Sequence, residues 1–287
     1  MEYLDYDSPS SIKSFLEGKG LAMQKKFGQN FLINKNARVR LIDSLEIDST
    51  STVWEVGPGL GAMTEEILSR GATLTAFEID RGFAECIFTF FNSYIKSGHF
   101  KLIQGDVLKT WKDVYKEKGL PNRFFGNLPY NVAATIIADM IALDARFEKV
   151  VVTVQKEVAQ RMCARVGDSD YSSFSVLCQW AYDIKPLMDL SGGNFWPKPN
   201  VDSRAVIMNK KKNFPCCNNP THFQKILRAV FSSRRKTIKN NLTSFYGNSD
   251  KAMSVIIDAA INPLTRAEEL SLEELLRLSD ISNSYIM

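Results

Sequence analysis

The sequence predicts an α/β protein, with a largely parallel sheet whose strands are separated by helices, followed by a small helical domain. Three observations carry this. Apolar runs alternate with amphipathic segments from Thr52 to about Val154. A glycine-rich loop, Gly57-Pro-Gly-Leu-Gly-Ala62, lies between the first strand and its helix. After Asn209 the strands stop, and Lys210-Lys-Lys-Asn-Phe-Pro215 reads as a linker into a helical region. Strands alternating with helices imply right-handed crossovers and a parallel sheet. At 287 residues the chain is too long for one small core, so the change in character divides it into residues 1–209 and 210–287.

The elements follow in order. Thr52-Val-Trp-Glu-Val56 is a strand, Ala62 to Ser69 a helix, and Gly71 stops that helix. Thr73-Leu-Thr-Ala-Phe77 is a second strand, with a helical run from Phe83 to about Lys96. Phe100 to Gln104, Arg123 to Phe125 and Lys149 to Val154 are further strands, with helices at 133–143 and 155–165. Ile184 to Leu190 and Arg204 to Met208, joined by the loop Ser191 to Val201, suit an antiparallel hairpin at the end of the sheet. In the last region, 222–242 reads as one helix with Phe223, Ile226, Leu227, Val230, Phe231 and Ile238 on one face. Lys225, Arg228, Arg235, Lys236 and Lys239 fall opposite. Arg234 falls among the apolar set and requires a buried anionic partner, unless Ser232-Ser233 breaks the helix. Two shorter helices reach about Leu278.

Composition narrows the function. No apolar run approaches the ~20 residues of a membrane span, and Met1 to Ser10 is polar, without a basic segment leading into an apolar one. Five cysteines, none in C-x-x-C spacing, and two histidines argue against a zinc site and for reduced thiols. No metal is expected. Net charge is only +4 but uneven. No acid occurs from Ser203 to Ser249, where ten Lys and Arg fall, or from Gly18 to Ile42, which holds Lys19, Lys25, Lys26, Lys35, Arg38 and Arg40. Such asymmetry points to a polyanion, most simply nucleic acid. A solvated basic face would look the same.

The glycine loop lets the backbone turn sharply and approach a ligand closely. With Glu78 about 20 residues on, it fits a nicotinamide dinucleotide and an S-adenosylmethionine site equally. Two features favour the latter. Asp106 adds a carboxylate at the same sheet edge, suited to an adenine amine, though it also suits a helix N-cap. His99 and His222 are the only imidazoles, and neither sits where a hydride-transfer partner is needed. Asn127-Leu-Pro-Tyr130 follows the apolar pair Phe124-Phe125 and Gly126. A loop there presents an amide, a carbonyl and an aromatic face, the groups that hold a planar heterocycle by its exocyclic amine. An ordinary turn has the same composition.

Taken together, these motifs resemble the small-subunit ribosomal RNA adenine dimethyltransferases, the KsgA family, from about Gln24 to Leu278. The resemblance runs through Phe27-Gly-Gln-Asn-Phe-Leu32, Glu55-Val-Gly-Pro-Gly59, Glu78-Ile-Asp80 and Asn127-Leu-Pro-Tyr-Asn-Val132. It continues through Gln155-Lys-Glu-Val-Ala-Gln160, Phe195-Trp-Pro-Lys-Pro-Asn-Val-Asp-Ser203, Phe231-Ser-Ser-Arg-Arg-Lys-Thr237 and Arg266-Ala-Glu-Glu-Leu270. Where the family commonly has a Ser-Thr-Pro-like segment, this chain has Ala133-Ala134-Thr135, and Val166 and Ser172 stand for a common Pro and Gly.

The resemblance implies a Rossmann-like class I methyltransferase sheet with a small C-terminal helical domain that binds RNA. It implies S-adenosyl-L-methionine held by Gln29, Asn30, Leu32, Gly57, Gly59, Glu78, Ile79, Asp106, Val107 and Asn127, with Glu78 on the ribose and Asp106 on the adenine. Asn127 and the Leu128 carbonyl would hold the target amine in a loop shaped by Pro129, with the flipped base between Tyr130 and Phe195. Pro197 and Pro199 suggest that Phe195 sits on an exposed, stiff loop. Lys25, Lys26, Arg234, Arg235, Lys236 and Lys239 would meet RNA phosphates. The implied reaction dimethylates two adjacent adenines in the 3′-terminal hairpin loop of 16S ribosomal RNA within a small-subunit precursor. The chain is expected to be monomeric and cytoplasmic. Competing readings are a resistance-type large-subunit RNA methyltransferase, a non-catalytic assembly factor and a DNA adenine methyltransferase.

Overall fold

Each strand at the centre of the sheet is a run of apolar residues bounded by loops, as a strand buried on both faces requires. The structure, a computed structural model, describes residues 4–23, 29–129 and 132–285. In chain order the elements are α1 (Pro9–Gly18), β1 (Phe31–Leu32), α2 (Lys35–Asp43), β2 (Thr52–Val56), α3 (Ala62–Ser69), β3 (Thr73–Glu78), α4 (Arg81–Phe90) and α5 (Asn92–Lys96). Then come β4 (Phe100–Gln104), α6 (Val107–Lys118), β5 (Arg123–Asn127), α7 (Ala133–Ala142), β6 (Lys149–Gln155), α8 (Lys156–Cys163), α9 (Ser173–Ala181) and β7 (Tyr182–Leu190). The chain ends with β8 (Phe195–Trp196), β9 (Ser203–Lys210), α10 (Pro220–Val230), α11 (Ile238–Tyr246), α12 (Ser249–Asp258) and α13 (Leu272–Ser284).

The main sheet has seven strands in the order β4-β3-β2-β5-β6-β9-β7. β4, β3, β2, β5 and β6 run parallel, and β9 pairs antiparallel with β6, Val152 opposite Val206. The strand order reverses at β2, so the loops after β2 and β5 open at the carboxyl edge where ligands of such sheets bind. The late strand pair closes the end of the sheet as expected: β9 lies beside β6, and β7, hydrogen-bonded to β9, forms the edge. A short second sheet pairs β1 with β8, Leu32 opposite Phe195.

The chain folds into two compact units. The first comprises residues 1–136, 146–159 and 185–210, and the second 137–145, 160–184 and 211–287. The last boundary lies after Lys210, and the second unit also takes in two earlier segments, so the units are not two consecutive stretches of chain. Within it, the 222–242 pattern is two helices. α10 ends at Val230, and a turn through Arg234-Arg-Lys236 leads into α11, capped by Thr237. The expected apolar face is largely buried, including Phe223, Ile226, Leu227, Val230 and Ile238. Arg234 is exposed, because the break removes it from the helix face that would have buried it.

Candidate active site

The glycine loop takes the shape its composition allows. Gly57, Gly59 and Gly61 have φ of +73°, +59° and +95°, and Gly61 is the left-handed residue that starts α3. A Cβ on Gly59 would sit 3.1 Å from the Phe31 ring, so a side chain there would be strained by the positive φ and would also press on that ring. The Gly59 amide is aimed at Glu78, donating to its Oε2 at 3.1 Å, while the Asp80 amide donates to Oε1 at 2.8 Å. Glu78 ends β3 and is 4% exposed. Burial is the main reason its carboxyl is pushed up to about 7, and the two amides offset only part of it.

A cavity of about 320 Å³ opens at this edge, within the first unit. Its lining includes Gln29, Asn30, Leu32, Gly57, Gly59, Glu78, Ile79, Asp106, Val107 and Asn127, all ten residues expected to hold the cofactor, together with Leu128 and Pro129. The side chains are fixed by their elements. Gln29 donates to Asp80 Oδ2 at 3.1 Å, and Asp80 caps α4 through the Gly82 and Phe83 amides. Ile79 is 44% exposed, an apolar surface left at the cavity. Asp106 caps α6 by accepting from Leu108 N at 3.0 Å, so it lines the cavity and serves as the N-cap as well.

Asn127 ends β5 beside Thr153 of β6. Its Nδ2 donates to the Asn30 carbonyl at 3.1 Å, which fixes the amide plane and leaves Oδ1 as the acceptor for a ligand donor. Leu128 N–H donates to the Thr153 carbonyl at 3.0 Å, extending the strand pairing by one residue. Gly126 makes room for this loop: a Cβ there would meet Leu128 Cδ2 at 2.4 Å. The Pro129 carbonyl accepts from Val132 and Ala133, closing the turn into α7. Tyr130 lies outside the described residues, as do Lys25 and Lys26.

Three expectations are corrected. Phe195 is not on an exposed loop: it is 3% exposed in the core beside the sheet, because β8 pairs with β1. Its position supports Leu32 and does not line the cavity. Arg38 of the basic N-terminal stretch is buried and paired with Asp7 at 2.7 Å. Arg204 is paired with Asp189 at 2.5 Å. Neither is a free surface cation. By contrast, Arg234, Arg235 and Lys236 are exposed and Lys239 is half-buried, and none has an acidic partner among the described residues. Their turn is braced from within its own unit. Asn241 Nδ2 donates to the Val230 and Ser233 carbonyls at 2.7 and 3.0 Å, and Ser232 donates to Asn241 Oδ1. Thr237 bridges Arg266, so the Arg266 motif helps hold the basic turn. Among the described residues, no cluster of three His, Cys, Asp or Glu is placed to hold a metal, and no helix is long and apolar enough to cross a membrane.

Sequence reasoning misses Glu55 as a titrating group because it sits inside an apolar strand. It is buried in β2, and Thr64 Oγ1 donates to it at 2.7 Å. Burial pushes its carboxyl up to about 8. The unfolded chain releases this proton near 4.5, so the stability it confers is complete below 4.5 and is lost as pH rises through about 8. Glu55→Gln, neutral at every pH, should raise the melting temperature at pH 8.5 by several degrees and change it little at pH 4.5. Thermal scans at the two pH values check this, and a lower melting point for the variant at pH 8.5 would overturn the burial argument.

The chain matches the family described as ribosomal RNA adenine dimethylase over residues 20–284. It is 49% identical over 280 residues to Ribosomal RNA small subunit methyltransferase A of Treponema denticola, covering 96% of this chain and 95% of that protein. It is 38% identical to the protein of that name from Borreliella burgdorferi, covering 98% and 96%. Among solved structures it is similar to a dimethyladenosine transferase from Plasmodium falciparum, with TM-score 0.72, 22% identity and coverage of 88% and 98%. The 23S rRNA methyltransferase ErmE follows at TM-score 0.61, 19% identity, and coverage of 88% and 99%. The structural likenesses establish a class I, Rossmann-like fold.

Proposed function

The chain belongs to the ribosomal RNA adenine dimethylase family, and from that premise we propose how its residues divide the work and which RNA they act on. It is an S-adenosyl-L-methionine-dependent ribosomal RNA adenine dimethyltransferase. Its substrate in this reading is the pair of adjacent adenines in the 3′-terminal hairpin loop of 16S RNA, within a small-subunit precursor. The chain acts as a cytoplasmic monomer. Residues 1–209 form the methyltransferase domain and 210–287 the RNA-binding domain. One observation carries the site assignment: the Asn127 amide, held on Asn30, shares one cavity with Glu78 and the glycine loop.

The residues fit the cofactor by their chemistry. Glu78 offers carboxylate oxygens to a ribose diol, Asp106 an acceptor to an adenine amine, and Ile79 and Val107 apolar surface to the purine. The positive-φ glycines leave room for close backbone approach. When bound, S-adenosyl-L-methionine supplies a methyl group on a sulfonium centre. Asn127 Oδ1 and the Leu128 carbonyl accept hydrogen bonds from the adenine amine. This draws the nitrogen lone pair out of ring conjugation and orients it for in-line attack. The target base must leave its stack, and the Tyr130 face takes over the lost stacking.

The basic turn at Arg234–Lys236 and Lys239 holds RNA phosphates, as Lys25 and Lys26 do, and sets affinity with little base specificity. Changing Arg235 and Lys236 together to Glu should weaken RNA binding and reduce its salt slope by about one per lost phosphate contact. A titration across salt concentrations reads this, and an unaltered slope would place the RNA elsewhere. The deciding experiment for the whole reading incubates the chain with labelled cofactor and undermethylated small subunits, then maps the modified base. Dimethyladenine in the 3′-terminal loop is the expected result. Label confined to large-subunit RNA would reassign the substrate.

A further inference from the structure

Residues 4–19 precede the stretch matched by the family, which starts at residue 20, yet they contribute to the cavity. Tyr6 and Ile12 line it directly. The Tyr6 hydroxyl donates to the Leu60 carbonyl at 2.9 Å, and Leu60 lies between Gly59 and Gly61. α1 begins with Ser8 as N-cap and Pro9 at its first position. Its apolar residues Ile12 and Leu16, with Leu4, pack against Leu60, Phe83 and Cys86.

The segment is fastened at two further points. Asp7 pairs with Arg38 at 2.7 Å, and Arg38 Nη1 donates to the Leu32 carbonyl at 3.0 Å. The segment is thereby tied to β1. Downstream of α1, Leu21 lies so close to the start of α4 that a Cβ on Gly82 would sit 2.4 Å from its Cδ2.

We propose that Tyr6 is a positioning residue of the methyl-donor site, and that residues 4–18 form a wall of that site which the family motifs do not supply. The inference rests on the donor reading of the cavity. Its physical basis is the cost of ordering the loop. Three glycines at positive φ give the 57–61 loop many unfolded and alternative conformations. A hydrogen bond to the Leu60 carbonyl from outside the loop fixes the peptide between two of them. A loop fixed before binding does not have to be ordered at the cost of affinity. Ile12, with 1% exposure, excludes water from the same wall.

The test is calorimetry on the full chain with S-adenosyl-L-methionine and with its demethylated product, for wild type, Tyr6→Phe, Tyr6→Ala and Asp7→Asn. Tyr6→Phe keeps the ring and removes the hydrogen bond to the Leu60 carbonyl. It should raise the dissociation constant about three- to tenfold, with the loss in turnover falling on the cofactor KM more than on kcat. Tyr6→Ala should exceed it. Asp7→Asn, which does not touch the cavity, should give a smaller shift in the same direction. Hydrogen exchange at the Leu60 and Gly61 amides should quicken in the Tyr6 variants, an effect that general loss of stability would spread over the whole unit. If folded Tyr6→Phe and Tyr6→Ala both bind within twofold of wild type while Glu78→Ala binds poorly, the inference fails and the donor reading stands. If wild type itself binds neither compound, both fail.

Discussion

Asn127→Ala is expected to slow methyl transfer by about 10³ while leaving RNA binding and the fold nearly intact. The residue is half-buried at the end of β5, and its backbone pairs with β6 whatever its side chain. What alanine removes is the amide. Nδ2 loses its bond to the Asn30 carbonyl, and the acceptor that this bond holds in place is lost with it. Removing a preorganised hydrogen-bonding group from a transition state costs roughly 10²–10³ in kcat. Losing the lone-pair orientation in addition should push the effect to the upper end. The RNA dissociation constant should stay within about twofold, because phosphate contacts dominate affinity. Single-turnover assays with labelled cofactor and RNA binding on the same preparation check both halves. Retained turnover would remove Asn127 from catalysis. Asn127→Asp keeps an acceptor but sets a carboxylate against the Asn30 carbonyl, and should recover only a small part of the rate.

The sheet and the cavity are legible in the sequence for one reason: both are built from local patterns. β2, β3, β5 and β6 are short apolar runs, and the glycine loop, Glu78, Asp106 and Asn127 each follow directly on a strand or end one. Parallel topology then brings their ends to one edge without further information. What the sequence conceals depends on distant pairing or on segments with few apolar residues. α6 is mostly polar along its length, so Asp106 is visible as an acid and α6 itself is not. α1 carries few apolar residues, and its Ser8-Pro9 start signal lies in a stretch that reads only as polar. The prolines after Phe195 suggest exposure, whereas its burial comes from pairing with Leu32 far back in the chain. The 222–242 pattern misleads for a different reason. Ile238 stays in phase with α10 across the turn, so the periodicity continues where the helix does not. That turn is what frees Arg234 to face solvent.

Glu78 carries the second large effect, and its burial makes that effect depend on pH. On the proposed reading Glu78→Ala removes the acceptor for two ribose hydroxyls and should weaken cofactor binding roughly 10²-fold, since hydrogen bonds to a charged group are each worth about 1.5–3 kcal/mol. In the free protein the carboxyl is pushed up to about 7, first by burial and further by the Asp80 charge. For stability the sign is fixed: the unfolded chain loses this proton near 4.5 and the folded chain near 7, so stability falls as pH rises across that window. Cofactor binding should run the other way. Two hydroxyl donors favour the ionised form and lower its pKa in the complex, so binding releases a proton below about 7. Affinity should therefore rise about tenfold from pH 6 to pH 8 and level off above that. Glu78→Gln, which cannot ionise, should bind more weakly and show no such rise. Glu55 titrates nearby, at about 8, but does not line the cavity. A Glu55→Gln protein should keep the slope, which assigns it to Glu78. Calorimetry in buffers of different ionisation enthalpy counts the proton released. A flat affinity profile with no proton released at pH 6.5 would show that Glu78 enters the complex already charged or does not face the ribose.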